Sequence, residues 1–119
     1  MQSEHEIQSS IMVAVSAAGH HIFRTNVGSV KMADGRYFST GLPPGYPDLT
    51  GYRKQDNQIF FLEIKNAKGR PRPDQIRFHQ QLMRDGVIHG ISRSVEDALK
   101  IIDEGLIGWG YPDYRGDSQ

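Results

Sequence analysis

Apolar residues recur at Ile7, Ile11, Val15 and Ala18, the spacing of one helical face, and the run stops at Gly19. Ser3 with Glu6 three places on fits a capping box, so the spacing predicts a first helix over about Glu4 to Ala18. His20 to Thr25, carrying Ile22 and Phe23, reads as a short strand, and Asn26-Val27-Gly28 reads as a turn. Val30 to Tyr37 is expected to be a hairpin around Ala33-Asp34-Gly35. The stretch from Thr40 to Pro47 holds three prolines and two glycines and cannot be a regular element. It delivers the chain into a strand from Asp48 to Tyr52, followed by a turn at Asp56-Asn57.

Gln58 to Lys65 is the strongest strand signal in the chain. A loop from Asn66 to Pro73 leads to a helix from about Asp74 to Arg84, closed by Gly86. Val87 to Ser92 reads as a strand. Ser94 caps a last helix carrying Val95, Ala98, Leu99, Ile102 and Leu106. Residues 1–108 are therefore expected to form the domain, and residues 109–119 a poorly anchored tail. The order predicts an α/β fold in which a mixed sheet is flanked by helices, since the Glu63 and Val87 strands are joined through a helix in a right-handed crossover.

A length of 119 residues fits one hydrophobic core. A hydrophobic share of 37% with 24% charged residues lies away from the composition of disordered chains. With no cysteine, disulfides and thiolate zinc sites are excluded. No apolar run approaches the roughly 20 residues of a membrane span, and the first residues are not signal-like, so a cytoplasmic location is expected. Net charge is zero, but from Arg53 to Arg93 nine basic residues meet only four acidic ones. A local basic face of that kind can hold a phosphate backbone or can simply be solvated.

The chemistry concentrates on the Ile59 to Lys65 strand. Alternation places Phe60, Leu62 and Ile64 on a core face and Phe61, Glu63 and Lys65 on the other. Charges on a central strand are costly unless paired or metal-bound, whereas on an edge strand the same pair would be unremarkable. Asp48 follows a rigid turn onto a strand expected to pair with that of Glu63. Two carboxylates converging from neighbouring strands make a hard oxygen site suited to Mg²⁺ or Mn²⁺. A lysine beside it can orient or deprotonate an attacking water and offset charge on the phosphorane. Asp48 can equally be a turn-forming residue after proline. The five histidines make no metal-ligand spacing and read as surface or packed residues. Pro112-Asp113 repeats the Pro-Asp word with no Glu-x-Lys behind it.

Pro47-Asp48, a gap of fourteen residues, then Glu63-Ile64-Lys65 resembles the PD-(D/E)xK pattern of restriction-endonuclease-like nucleases. With the words from Gly41 to Leu49, Phe61 to Lys65, Asp74 to Leu82 and Gly86-Val87, the chain resembles the VRR-NUC domain over about Glu6 to Leu99. The resemblance implies a restriction-endonuclease-like fold with Asp48 and Glu63 as metal ligands, the Ile64 carbonyl as a third, and Lys65 as the catalytic lysine. It also implies a site role for Gln75, and for Glu6 in the first helix, where the capping box with Ser3 is the competing role. Lys68, Arg70 and Arg72 of the loop, with Arg77 on the next helix, are the candidate DNA contacts.

The implied activity is a metal-dependent endonuclease, cytoplasmic in a bacterium or a phage-infected cell. It would act on branched or four-way junction DNA as a homodimer, recognising backbone shape rather than base edges. The hairpin around Val30 to Tyr37 and the tail residues Ile107, Trp109 and Tyr111 are the expected dimer contacts, Trp109 folding back on its own core being the alternative. A binding or scaffold module with a nuclease-like fold is the main rival, and a sequence-specific restriction enzyme is disfavoured by the lack of room for a recognition insertion.

Overall fold

The computed structural model describes residues 1–25, 29–39 and 41–116; the expected turn at residues 26–28 lies outside them. Ten elements follow one another: α1 (Glu4–Ala17), β1 (His21–Arg24), β2 (Ser29–Lys31), β3 (Tyr37–Ser39), β4 (Leu49–Tyr52), β5 (Ile59–Ile64), α2 (Pro73–Asp85), β6 (Ile88–Ser92), α3 (Val95–Glu104) and β7 (Ile107–Trp109). Five strands form one mixed sheet in the order β1-β4-β5-β6-β7, and β2 and β3 pair separately as a two-stranded hairpin. β1, β4 and β5 run antiparallel, whereas β5, β6 and β7 run parallel. This is the expected α/β sheet with flanking helices.

One apolar core occupies one face of the sheet. Ile7, Ile11 and Val15 of α1 and Ala98, Ile101 and Ile102 of α3 meet Leu49, Phe60, Leu62, Ile64 and Ile88 there. Each helix is delimited by the residues its sequence announces. Ser3 caps α1, Ser94 caps α3, and Gly86 and Gly105 close α2 and α3 in the left-handed conformation. Leu106 thus lies past the end of α3 rather than on it. Between β1 and β4 the backbones approach so closely that a Cβ on Gly51 would collide with the His21 carbonyl oxygen and the Phe60 ring.

β5 is the third of the five strands, so both its edges are paired. Phe61, Glu63 and Lys65, directed away from the apolar core, are also buried, under α2. The edge-strand alternative for Glu63 is thereby excluded.

The expectation of a loose tail is corrected. The boundary drawn after Gly108 falls inside β7, which adds a parallel strand beside β6. Trp109 packs on the core, and Tyr111 is buried with its ring stacked on His79 at 3.6 Å. Three residues were too short a run, broken by Gly108, to register as a strand in the sequence. Among the described residues no helix is long and apolar enough to cross a membrane.

Candidate active site

Four elements converge on the buried face of β5. The register Leu49↔Leu62, carried one place further, sets Asp48 directly across from Glu63. Asp48 is held from both sides. Thr25 donates its backbone N–H (3.0 Å) and its hydroxyl to the Asp48 carbonyl, and the same hydroxyl reaches the Pro47 carbonyl at 2.6 Å. The Asp48 carboxylate accepts from the Ile64 N–H at 2.8 Å. The preceding loop approaches α2 so closely that a Cβ at Gly45 (φ +85°) would collide with the Asp74 carbonyl. Tyr46 wedges edge-on between Phe61 and Phe78, with ring centroids 5.6 and 5.1 Å away. The proline-rich segment is therefore a fixed bracket for Asp48.

Glu63 is 2% exposed. Its Oε2 accepts from the Gln75 side-chain amide at 2.7 Å and lies 3.7 Å from the Lys65 ammonium. The Gln75 amide has its direction set by the helix start, because its oxygen accepts the Arg72 N–H at 2.9 Å and leaves the NH₂ aimed at Glu63. The helix-start and site roles of Gln75 are thus the same geometry. Burial, together with the facing Asp48 carboxyl, pushes the Glu63 acid up to about 9, while Lys65 and Arg72 pull the other way. Two carboxyls so placed share a proton or need a cation between them.

A backbone oxygen adds to that donor set. N–H and C=O of one strand residue point to the same edge, so the Ile64 carbonyl faces the β4 side, as its N–H does toward Asp48. Opposite Ile64 the register places Pro47, which has no N–H to give. The Ile64 carbonyl is left without a ladder donor from β4, next to Asp48 and Glu63. Two carboxylates and one carbonyl are hard oxygen donors of the kind Mg²⁺ or Mn²⁺ takes.

Glu6 does not join this group. It is exposed, its carboxylate accepts the Ser3 N–H at 2.9 Å, and Ser3 Oγ accepts the Glu6 N–H at 3.1 Å. That closed capping box occupies the side chain. The α1 acid that does approach the end of β5 is Glu4, whose carboxylate lies against the Gly69 backbone beside the Lys65 stem. Among the described residues no cluster of three or more His, Asp or Glu side chains could hold a metal.

Lys68, Arg70, Arg72 and Arg77 are all exposed around this centre, and Arg72 also pairs with Asp74 at 3.3 Å. Arg93, a residue the sequence marked only as one of many cations, organises the loop. Its guanidinium donates to the Asn66 and Gly69 carbonyls at 2.5 and 2.7 Å. Only the fold, which brings the end of β6 beside the loop, discloses that role.

No family model matches the chain, and no curated protein does. Solved structures that share its fold include two VRR_NUC proteins. One, described as a VRR_NUC domain, is 22% identical with a TM-score of 0.61 and covers 86% of this chain and 97% of its own. The other, a VRR_NUC domain protein, is 20% identical with a TM-score of 0.64 and covers 100% of this chain and 98% of its own. The resemblance in sequence motifs and the likeness in fold agree.

The raised Glu63 acidity has a signed consequence for the metal-free protein. A carboxyl whose folded value exceeds its unfolded one contributes stability below the unfolded value and loses it as pH rises toward the folded one. Stability to urea should therefore fall between about pH 4.5 and about 9, on the order of a few kcal/mol in all. Glu63→Gln, which keeps an acceptor for Gln75, should flatten that slope; an equal slope in the variant would show that Glu63 is not its source.

Proposed function

We propose that the chain is a metal-dependent endonuclease that hydrolyses phosphodiester bonds in branched DNA, four-way junctions above all, and that it works as a homodimer. The observation that carries this reading is the buried Glu63 carboxyl facing Asp48, with Lys65 beside it and an Ile64 carbonyl to which Pro47 offers no ladder donor. A module that merely grips DNA has no use for so costly an arrangement. The fold it shares with VRR_NUC domain proteins supports the same reading.

Asp48, Glu63 and the Ile64 carbonyl would hold Mg²⁺ or Mn²⁺, which supplies Lewis-acid polarisation of the scissile phosphate and a more acidic water. Lys65, 5% exposed and 3.7 Å from Glu63, orients the attacking water or takes its proton, and offsets charge on the phosphorane. Gln75 keeps Glu63 in one rotamer. Lys68, Arg70, Arg72 and Arg77 hold the DNA backbone on either side of the cut.

Purified protein with Mg²⁺ or Mn²⁺ should cleave four-way junctions in preference to flap, splayed-arm or duplex DNA. Asp48→Ala and Lys65→Ala should each lower the rate by at least about a hundredfold with the fold intact. Wild-type-like cleavage by Asp48→Ala would remove the site assignment, and binding without any cleavage would favour the scaffold module.

Alanine at Lys68, Arg70 and Arg72 together should weaken DNA binding and flatten its salt dependence by about one unit of slope per lost phosphate contact. If the slope stays unchanged, the DNA approaches by another face.

The dimer reading needs a different contact from the one first expected, because Trp109 and Tyr111 are committed to the core of their own chain. The β2–β3 hairpin, with Met32 and Tyr37 exposed, remains available. Sedimentation should give twice the mass of the chain at micromolar concentration, and Tyr37→Glu with Met32→Glu should halve it; a monomer bound to junction DNA would exclude the dimer.

A further inference from the structure

His79 on α2 and His89 on β6 are each 2% exposed and bond to one another, Nδ1 to Nε2, at 2.8 Å. The chain of bonds continues at both ends. His89 Nδ1 meets the Val87 carbonyl at 2.7 Å, and His79 Nε2 meets the Asp113 carboxylate at 2.6 Å. None of these residues has a part in the chemistry above. Their donors and acceptors can nonetheless be counted. A carbonyl only accepts, so His89 Nδ1 carries a proton. Burial and the neighbouring His79 drive the His89 imidazolium acidity down to about 4, so its Nε2 is bare and accepts. His79 must then donate from Nδ1. A carboxylate accepts, so the 2.6 Å contact with Asp113 is satisfied by His79 donating from Nε2 as well.

We propose that His79 and Asp113 are positioning residues of the acid site, a doubly protonated His79 locking α2 onto the sheet so that Gln75 stays aimed at Glu63. The geometry gives the connection. Gln75 and His79 stand one turn apart on the buried face of α2, the first bonded to β5 through Glu63 and the second to β6 through His89. Tyr111 closes the arrangement from above, its ring parallel to that of His79. Burial and the Glu63 and Asp48 carboxyls push the Tyr111 phenol well up, which places it within electrostatic reach of the acid pair. Below, β7 passes so near that a Cβ on Gly108 would meet His79 Cε1 and Met83. The charged and titratable groups facing His79 are thus Asp113 and Tyr111 from the segment after β7 and His89 from β6, with Glu63 of β5 reached through Gln75.

A His79 with a single ring proton could donate to His89 or to Asp113 but not to both. This inference rests on the nuclease reading for its catalytic consequence, but the lock itself can be read without activity. In the metal-free, ¹⁵N-labelled protein near neutral pH, long-range ¹H–¹⁵N spectra should show both His79 ring nitrogens protonated and His89 protonated at Nδ1 alone. Asp113→Asn should remove one His79 proton and shift the Gln75 side-chain amide resonances, and Asp113→Glu should restore both. In cleavage assays Asp113→Asn should lower kcat about tenfold with KM unchanged, and Asp113→Glu should recover it. A singly protonated His79 in the wild type, or Gln75 resonances unmoved by Asp113→Asn, would overturn the proposal. Spectra as expected from a wild type that cuts no DNA would instead leave the lock standing and remove the nuclease reading.

Discussion

A carboxyl with almost no solvent, on the middle strand of a sheet and directly across from another carboxyl, is the constraint around which this molecule is arranged. Like charges opposite one another on a ladder repel, and burial removes the water that would soften the repulsion. Gln75 and Lys65 reach Glu63 from α2 and from its own strand and offset that cost, while Asp48 faces it from the loop before β4. Gln75 and Asp48 are themselves fixed by backbone bonds, from Arg72 to the Gln75 oxygen and from Thr25 to Asp48. The site is therefore a property of the whole sheet rather than of one loop.

That arrangement explains which parts of the structure the sequence discloses. Strong local signals, such as the helix caps at Ser3 and Ser94, the run from Ile59 to Ile64 and the proline-rich approach to Asp48, are all found where expected. In them the residue's own conformational preference agrees with its place in the fold. Asp48, Glu63 and Lys65 were legible from their types and spacing and Gln75 from the family pattern the chain resembles, and the structure brings all four together.

What stayed hidden depends on distance along the chain. β7 is three residues with a glycine in the middle, stable only because β6 supplies its partner. His79, His89 and Asp113 read singly as unremarkable side chains, and only the crossover through α2 and the return of the chain after β7 place them in line. Glu6 illustrates the converse. Its spacing fitted two roles, and the local one, closed within four residues, is the one its carboxylate fills.

Pro47 has one more consequence, seen by treating the β4–β5 pairing as a zipper. Proline is a missing tooth, so the zipper stops one rung early and a notch opens at the Ile64 oxygen. The oxygen exposed in that notch belongs to the main chain, while the side chain of the same residue is packed on the opposite, apolar face. Position 64 can thus drift among core residues without altering the oxygen it presents, whereas any other residue at position 47 would bring a tooth that fills the notch. The part of the site contributed by Ile64 is in effect encoded across the ladder, by a residue whose contribution is an atom it lacks.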